Sequence, residues 1–249
     1  MRHFLGFALV ALLGLGGASA ARAGRPTPTP APKAAKKPSP KLPEARTEKT
    51  PAAAPDAAQT FPELKPLRIF SRNFATTLDV ELYDEQGRVD EAAASRLDSI
   101  LVGDHDAEQT SEINIDRRTL QLLFRAAYHF KADQIEIISA YRKPGRRREG
   151  PHAAGRAIDF KLPHVPARTL AAYLRTLPRV GVGVYTHPKT QYVHLDVREH
   201  SFHWIDASPP GRSWRERSLG STQLAARDAA YSPAGDWPEG TTPPASALR

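Results

Sequence analysis

Between residues 24 and 66 the chain carries almost no large apolar side chain, and this limits where a folded domain can lie. Runs such as Pro26-Thr27-Pro28-Thr29-Pro30 and Lys36-Lys37-Pro38-Ser39-Pro40 remove amide donors and add charge. Such a stretch cannot bury enough surface to offset the entropy of ordering it, so it reads as an extended, disordered spacer with solvated lysines. A second change in composition follows Asp206, where Pro209-Pro210-Gly211 opens a tail that reaches Pro243-Pro244. Residues 207–249 are expected to be mostly irregular, with Trp214 as the side chain able to pin the tail's first part to the domain. What remains, 67–206, has the length of one ordinary domain.

Residues 1–23 have the anatomy of a secretory signal peptide. Arg2 and His3 precede an apolar run from Phe4 to Leu15, and Ala18-Ser19-Ala20 or Ala21-Arg22-Ala23 offers a small-residue cleavage site. The run falls short of the roughly 20 residues that a membrane-crossing helix needs, so no stable span is expected after cleavage. There is no cysteine, which excludes a disulfide framework, a thiolate metal site and a lipid-anchored cysteine. Lys plus Arg outnumber Asp plus Glu by 35 to 27, which suits an anionic partner. Export, and the lack of aromatics interleaved with the basic residues, argue against nucleic acid.

Within the foldable part the periodicities are mixed. Residues 67–70 and 77–82 are predicted strands, and Gln86-Gly87 a turn. After Asp90, a plausible N-cap, Ala93, Leu97, Ile100 and Leu101 form a helical stripe. A second helix follows Asp116 with Leu120, Leu123, Phe124 and Ala127 on one face, and a third follows Pro166 with Leu170, Tyr173, Leu174 and Leu177. Residues 134–139, rich in isoleucine, read as a strand that delivers Tyr141 and Arg142 to a loop. Residues 180–185 and 191–197 read as a hairpin turned at His187-Pro188. Without a regular βαβ alternation, the predicted class is α+β with a mainly antiparallel sheet.

The chemistry concentrates in two segments. In Pro151-His152-Ala153-Ala154-Gly155-Arg156-Ala157-Ile158-Asp159-Phe160 an imidazole and a carboxylate lie seven residues apart, with Gly155 to turn the chain between them. In Tyr192-Val193-His194-Leu195-Asp196-Val197 the period of two puts Tyr192, His194 and Asp196 on one strand face and the apolar residues on the other. A polar face on a central strand is costly without partners. Two His and one Asp make an open zinc set, with His152, Asp159 and His194 at three corners of a tetrahedron and solvent at the fourth. Such a metal lowers the pKa of water and polarises a carbonyl, which is what amide hydrolysis without a serine or cysteine nucleophile requires.

Ser139-Ala140-Tyr141-Arg142, His152-x-x-Gly155-x-Ala157-x-Asp159, Gly181-Val182-Gly183-Val184-Tyr185 and Val193-His194-Leu195-Asp196 together resemble the zinc peptidases of the D-Ala-D-Ala carboxypeptidase superfamily. The murein endopeptidase K group is the branch the chain looks most like. The resemblance implies a hedgehog/D,D-peptidase fold, Zn2+ held by His152, Asp159 and His194, and stem peptides or cross-links of peptidoglycan as substrate. It also implies that Arg142 holds a substrate carboxylate, with Ser139 and Tyr192 beside it. Location in the periplasm follows from signal and substrate, and the protein is expected to be a monomer.

Three departures bear on activity. Many relatives have Glu three residues before the last His, where this chain has Gln191; Gly150 replaces a Ser; and the Lys143 to Glu149 segment with Arg146-Arg147-Arg148 is short. Asp196 is then the available carboxylate, either a base that activates water or a group that orients a ligand histidine, the base being favoured. His187 and His203 are fallback acid/base candidates, and Tyr192 with Trp204 a possible cleft wall. The leading expectation is an exported zinc peptidase; the alternative is a catalytically inactive zinc-containing module that binds peptidoglycan.

Overall fold

The protein is described by a computed structural model in which residues 61–102, 113–143 and 150–245 are placed. The expected signal segment, most of the spacer and Arg146-Arg147-Arg148 lie outside the described residues. Strands β1 (Leu67–Ser71), β2 (Thr76–Val80), β3 (Gln134–Ser139), β4 (Ala157–Lys161), β5 (Val180–Tyr185), β6 (Val193–Val197), β7 (Phe202–Asp206) and β8 (Glu216–Ser218) form one sheet. Its order is β2-β1-β3-β4-β6-β5-β7-β8. The β1–β3 and β5–β7 pairs are parallel and the other pairings antiparallel. Helices are α1 (Glu91–Val102), α2 (Arg117–His129), α3 (Ala167–Leu174) and the short α4 (Leu224–Ala229). The class is therefore α+β with a mostly antiparallel sheet.

Local signals account for the helix starts. Asp90 accepts from the amides of Ala92 at 2.8 Å and Ala93 at 3.3 Å ahead of α1, and Asp116 accepts from Thr119 at 3.2 Å at the start of α2. These carboxylates satisfy amides that have no partner inside the helix. The stripes then decide which faces pack: Leu120, Leu123 and Phe124 of α2 and Leu170 and Leu174 of α3 bury against Ile158, Phe160, Val182, Val193 and Leu195 of the sheet. Each fully buried large side chain contributes about 2 kcal/mol by removal from water. This core occupies one sheet face and leaves the alternate residues of β4, β5 and β6 on the other.

Packed residues also lie outside 67–206. At the front, Phe61 is buried against Tyr83 with ring centroids 5.1 Å apart, so ordered packing starts before Leu67. At the back, 207–249 contains β8, α4 and a 3-10 turn at Pro233–Asp236. Trp214 is no pin, being 60% exposed; Trp237 is, at 7% exposure, with its indole N–H donating to the Gly87 carbonyl at 2.7 Å. Asp236 accepts from Arg118 at 2.9 Å and Tyr231 at 2.7 Å, while Asp228 accepts from the amides of Arg179 and Ser201, both at 2.6 Å. Except for Tyr231, these partners lie far along the chain, which is why local composition does not reveal them. Trp237→Ala is expected to lower unfolding free energy by about 3 kcal/mol through cavity formation and the unpaired Gly87 carbonyl, measured by urea denaturation.

Candidate metal centre

Strand register brings the site together. Asp159 of β4 lies directly opposite His194 of β6, which in turn lies opposite Gly183 of β5, and Gly183 opposite Trp204 of β7. Residues paired across a ladder project to the same face. On the other flank a register shift in β3 between Ile137 and Ser139 sets Ser139 opposite Asp159. One row across the sheet therefore reads Ser139, Asp159, His194, Gly183, Trp204, and the row beside it Ala157, Asp196, Gly181, Phe202.

His152 enters from the turn before β4. That turn is held by Ala153 N–H donating to the Gly150 carbonyl at 2.9 Å and Arg156 N–H to the Pro151 carbonyl at 2.8 Å. Gly155 has φ +65°, and a Cβ there would stand 2.5 Å from the Asn114 carbonyl oxygen, so both conformation and space demand glycine. The Gly155 carbonyl accepts from Asp116 N–H at 2.8 Å, tying the turn to the start of α2.

Three ligand-type atoms converge as a result. His152 Nε2 is 3.2 Å from His194 Nδ1 and 3.4 Å from Asp159 Oδ1, and His194 Nδ1 is 2.8 Å from Asp159 Oδ1. Metal–ligand bonds of 2.0–2.1 Å place tetrahedral neighbours about 3.3 Å apart, so this triangle fits a small divalent ion. The rear of each ring is also fixed. His152 Nδ1 donates to the Ala140 carbonyl at 2.5 Å, and His194 Nε2 donates to Asp196 Oδ2 at 2.9 Å. When the rings are neutral, both inward nitrogens present lone pairs, the arrangement found behind metal-ligating histidines. Among the described residues, His152, Asp159 and His194 are the group that can hold a metal ion.

Charge agrees with geometry. Burial would raise the pKa of Asp159, but hydrogen bonds from His152 and His194 and their charges hold it well below the carboxylate range. Burial opposes charging of His194, yet Asp159 and Asp196 outweigh it and raise its pKa. Asp196 is likewise resisted by burial and lowered by His194 and Arg198. These shifts keep Asp159 and Asp196 ionised on either side of the His194 ring.

Asp196 is fully buried, its Oδ2 meets the rear nitrogen of His194, and Arg198 binds its Oδ1 at 2.6 Å and its Oδ2 as well. Of the two roles expected for it, water-activating base or orienting group, these contacts are those that the second requires. Arg142 donates to Ser139 Oγ at 2.8 Å and to Asp159 Oδ2, yet its side chain remains 54% exposed. Tyr192 stacks on Tyr185 with centroids 4.3 Å apart, and Trp204 lies 5.0 Å from the His194 ring. Burial, then the Asp159 charge, pushes the Tyr192 phenol up to about 12, and the same two causes lead in raising Tyr185.

The fallback histidines are elsewhere. His187 accepts from Lys189 N–H within the β5–β6 turn. His203 belongs to the opposite face of β7 from Trp204, where burial and then the charges of Arg175 and Arg227 push its pKa down to about 4. Gln191 is exposed with φ +43°.

Sequence reasoning missed Arg198 and Tyr185. The signal for Arg198 was the period of two continuing past Asp196. The alternating Gly181-Val182-Gly183-Val184 also gains a meaning: valines face the core and glycines the site. A Cβ at Gly181 would collide with Asp196 Oδ2, and one at Gly183 with the Trp204 indole.

Among known proteins, the family model described as Peptidoglycan L,D-endopeptidase MepK matches residues 61–204, which include every residue of the cluster. No curated protein and no solved structure matches the chain.

His152→Ala or His194→Ala is expected to abolish stoichiometric binding of a divalent metal ion, read by metal analysis after dialysis. Asp196→Asn is expected to retain binding with affinity about 10–100-fold lower. Protons compete for the ligand nitrogens, and the raised pKa of His194 extends that competition upward. Affinity measured by titration should therefore fall as pH is lowered, starting above the ordinary histidine range.

Proposed function

The chain belongs to the peptidoglycan L,D-endopeptidase MepK family, and from that membership we propose that it is an exported zinc peptidase hydrolysing peptide bonds in peptidoglycan cross-links. The observation that carries the zinc assignment is the triangle of His152 Nε2, Asp159 Oδ1 and His194 Nδ1 with the rear of each ring already fixed. Two nitrogens and one oxygen suit zinc, and three protein ligands leave a coordination position for chemistry. Bound zinc supplies Lewis acidity, polarising a carbonyl and lowering the pKa of water.

The chain's own residues supply orientation and charge. Ala140 and the Asp196–Arg198 pair engage the outward nitrogen of each ring and so aim the inward nitrogens at one point. Arg142, braced by Ser139 and Asp159, presents an exposed guanidinium edge to a stem-peptide carboxylate, which it meets with paired hydrogen bonds. Tyr185 and Tyr192, kept protonated by burial, are donors for an oxygen that gains negative charge in the transition state.

The remaining assignments belong to the same reading. The fold is taken as that of the hedgehog/D,D-peptidase class, which fits the mostly antiparallel sheet with helices on one face. The signal-like residues 1–23 support export to the periplasm, with 24–66 taken as a spacer, and the protein is taken as a monomer. Among the described residues no helix is long and apolar enough to cross a membrane. One observation favours the alternative of a silent zinc-containing binding module: Asp196 is withdrawn from any water at the metal, and Gln191 replaces the expected Glu.

Digestion of purified sacculi, with released muropeptides analysed by mass, decides between them. The wild type should cut cross-links and His194→Ala should not; release of terminal residues alone would make it a carboxypeptidase. A zinc-loaded wild type that binds sacculi and releases nothing would establish the binding module. Arg142→Lys is expected to keep zinc and lose about 10–100-fold in kcat/KM, because a charge-assisted pair loses its second hydrogen bond.

A further inference from the structure

An aromatic band runs along the metal face, beyond the residues already given roles. Phe202 and Trp204 project from β7 to the same side as His194, since Gly183 pairs with both His194 and Trp204 and Gly181 pairs with both Asp196 and Phe202. Their rings are nearly parallel, 29° apart with centroids 5.8 Å apart, and Trp204 itself is 5.0 Å from the His194 ring. Gly183 lets the indole lie flat on the strand, and the indole also hydrogen-bonds Tyr185, which stacks on Tyr192. The outermost ring, Phe202, is 44% exposed with the Arg198 guanidinium 5.8 Å from its centroid.

Two neighbouring aromatic rings beside a built polar site, the outer one 44% exposed, offer an apolar surface on which a ligand can pack. Building on the peptidoglycan reading above, we propose that Phe202 and Trp204 form a saccharide subsite that stacks a pyranose ring of the glycan strand while the stem peptide reaches the metal centre. The occupant follows from substrate chemistry. Stem peptides consist mostly of small or charged residues and offer no broad apolar face, whereas a pyranose presents a flat patch of C–H bonds that packs on aromatic π-faces. Its hydroxyl and acetamido oxygens accept from a guanidinium at the rim, the place of Arg198. The reach also fits. Phe202 lies one ring beyond Trp204 on the path away from His194, and three extended peptide residues span about 10 Å.

The test uses metal-loaded full chain and peptide-free oligomers of β-1,4-linked N-acetylglucosamine and N-acetylmuramic acid, with affinity read by calorimetric titration. The wild type should bind, Phe202→Ala should bind about five-fold more weakly as expected for one lost aromatic stack, and Phe202→Tyr should recover the loss. His152→Ala should bind the sugar like the wild type, which separates this subsite from the hydrolytic reading: sugar binding by a chain that cuts nothing sustains the subsite alone. In turnover, Phe202→Ala should lower kcat/KM for cross-linked muropeptides that carry saccharide and leave sugar-free cross-linked peptides unchanged. No oligosaccharide binding by the wild type, equal binding by Phe202→Ala, equal losses on both substrates, or self-association of the wild type abolished by Phe202→Ala would each overturn the subsite.

Discussion

Three acceptor atoms held within 3.4 Å of one another repel unless positive charge lies among them, and the rest of the domain is arranged around that constraint. In water such atoms would simply separate. Here they are kept together by the β4–β6 ladder, which sets Asp159 opposite His194, and by the Gly155 turn, which brings His152 over them. Neither device is soft. A slip of one residue between β4 and β6 would send His194 into the core and Leu195 to the site, exchanging a charged cluster for an exposed leucine.

Holding that register is the work of the opposite sheet face. Helices α2 and α3 seal Ile158, Phe160, Val182, Val193 and Leu195 from water, so the apolar half of each strand chooses its side and the polar half has no alternative. The site face then has to be roomy, and glycines at 181 and 183 provide the space that Asp196, Arg198 and Trp204 occupy. Behind this arrangement the C-terminal segment ties distant parts of the domain. Arg118 of α2, Arg179 before β5 and Ser201 before β7 all meet carboxylates from 228–236.

Division of labour among the acids also becomes physical. Asp159 and Asp196 are both buried aspartates in contact with His194, but they face opposite nitrogens of its ring. Asp159 shares one side of the ring with His152, and Asp196 is neutralised from behind by Arg198. A single imidazole thus separates the two carboxylates, with Tyr185 of β5, Tyr192 before β6 and Trp204 of β7 nearby.

Patterns of short range are legible in the amino-acid sequence itself. Periods of two and 3.6 locate β1, β2, β3, β5 and β6 and helices α1 to α3, though not β7, β8 or α4; capping aspartates mark the starts of α1 and α2, and the spacing of His152, Asp159 and His194 points to the cluster, because side-chain direction within an element depends only on its own repeat. What tertiary structure alone decided was every relation between distant segments: the strand order, the shifted register that sets Ser139 beside Asp159, the burial of Phe61 and Trp237, and the pairing of Asp196 with Arg198 behind the His194 ring. Linear sequence records which groups are present and how they alternate. Which hydrogen-bond partner a buried carboxylate finds depends on what the folded chain packs around it, and that is settled only once the sheet has closed.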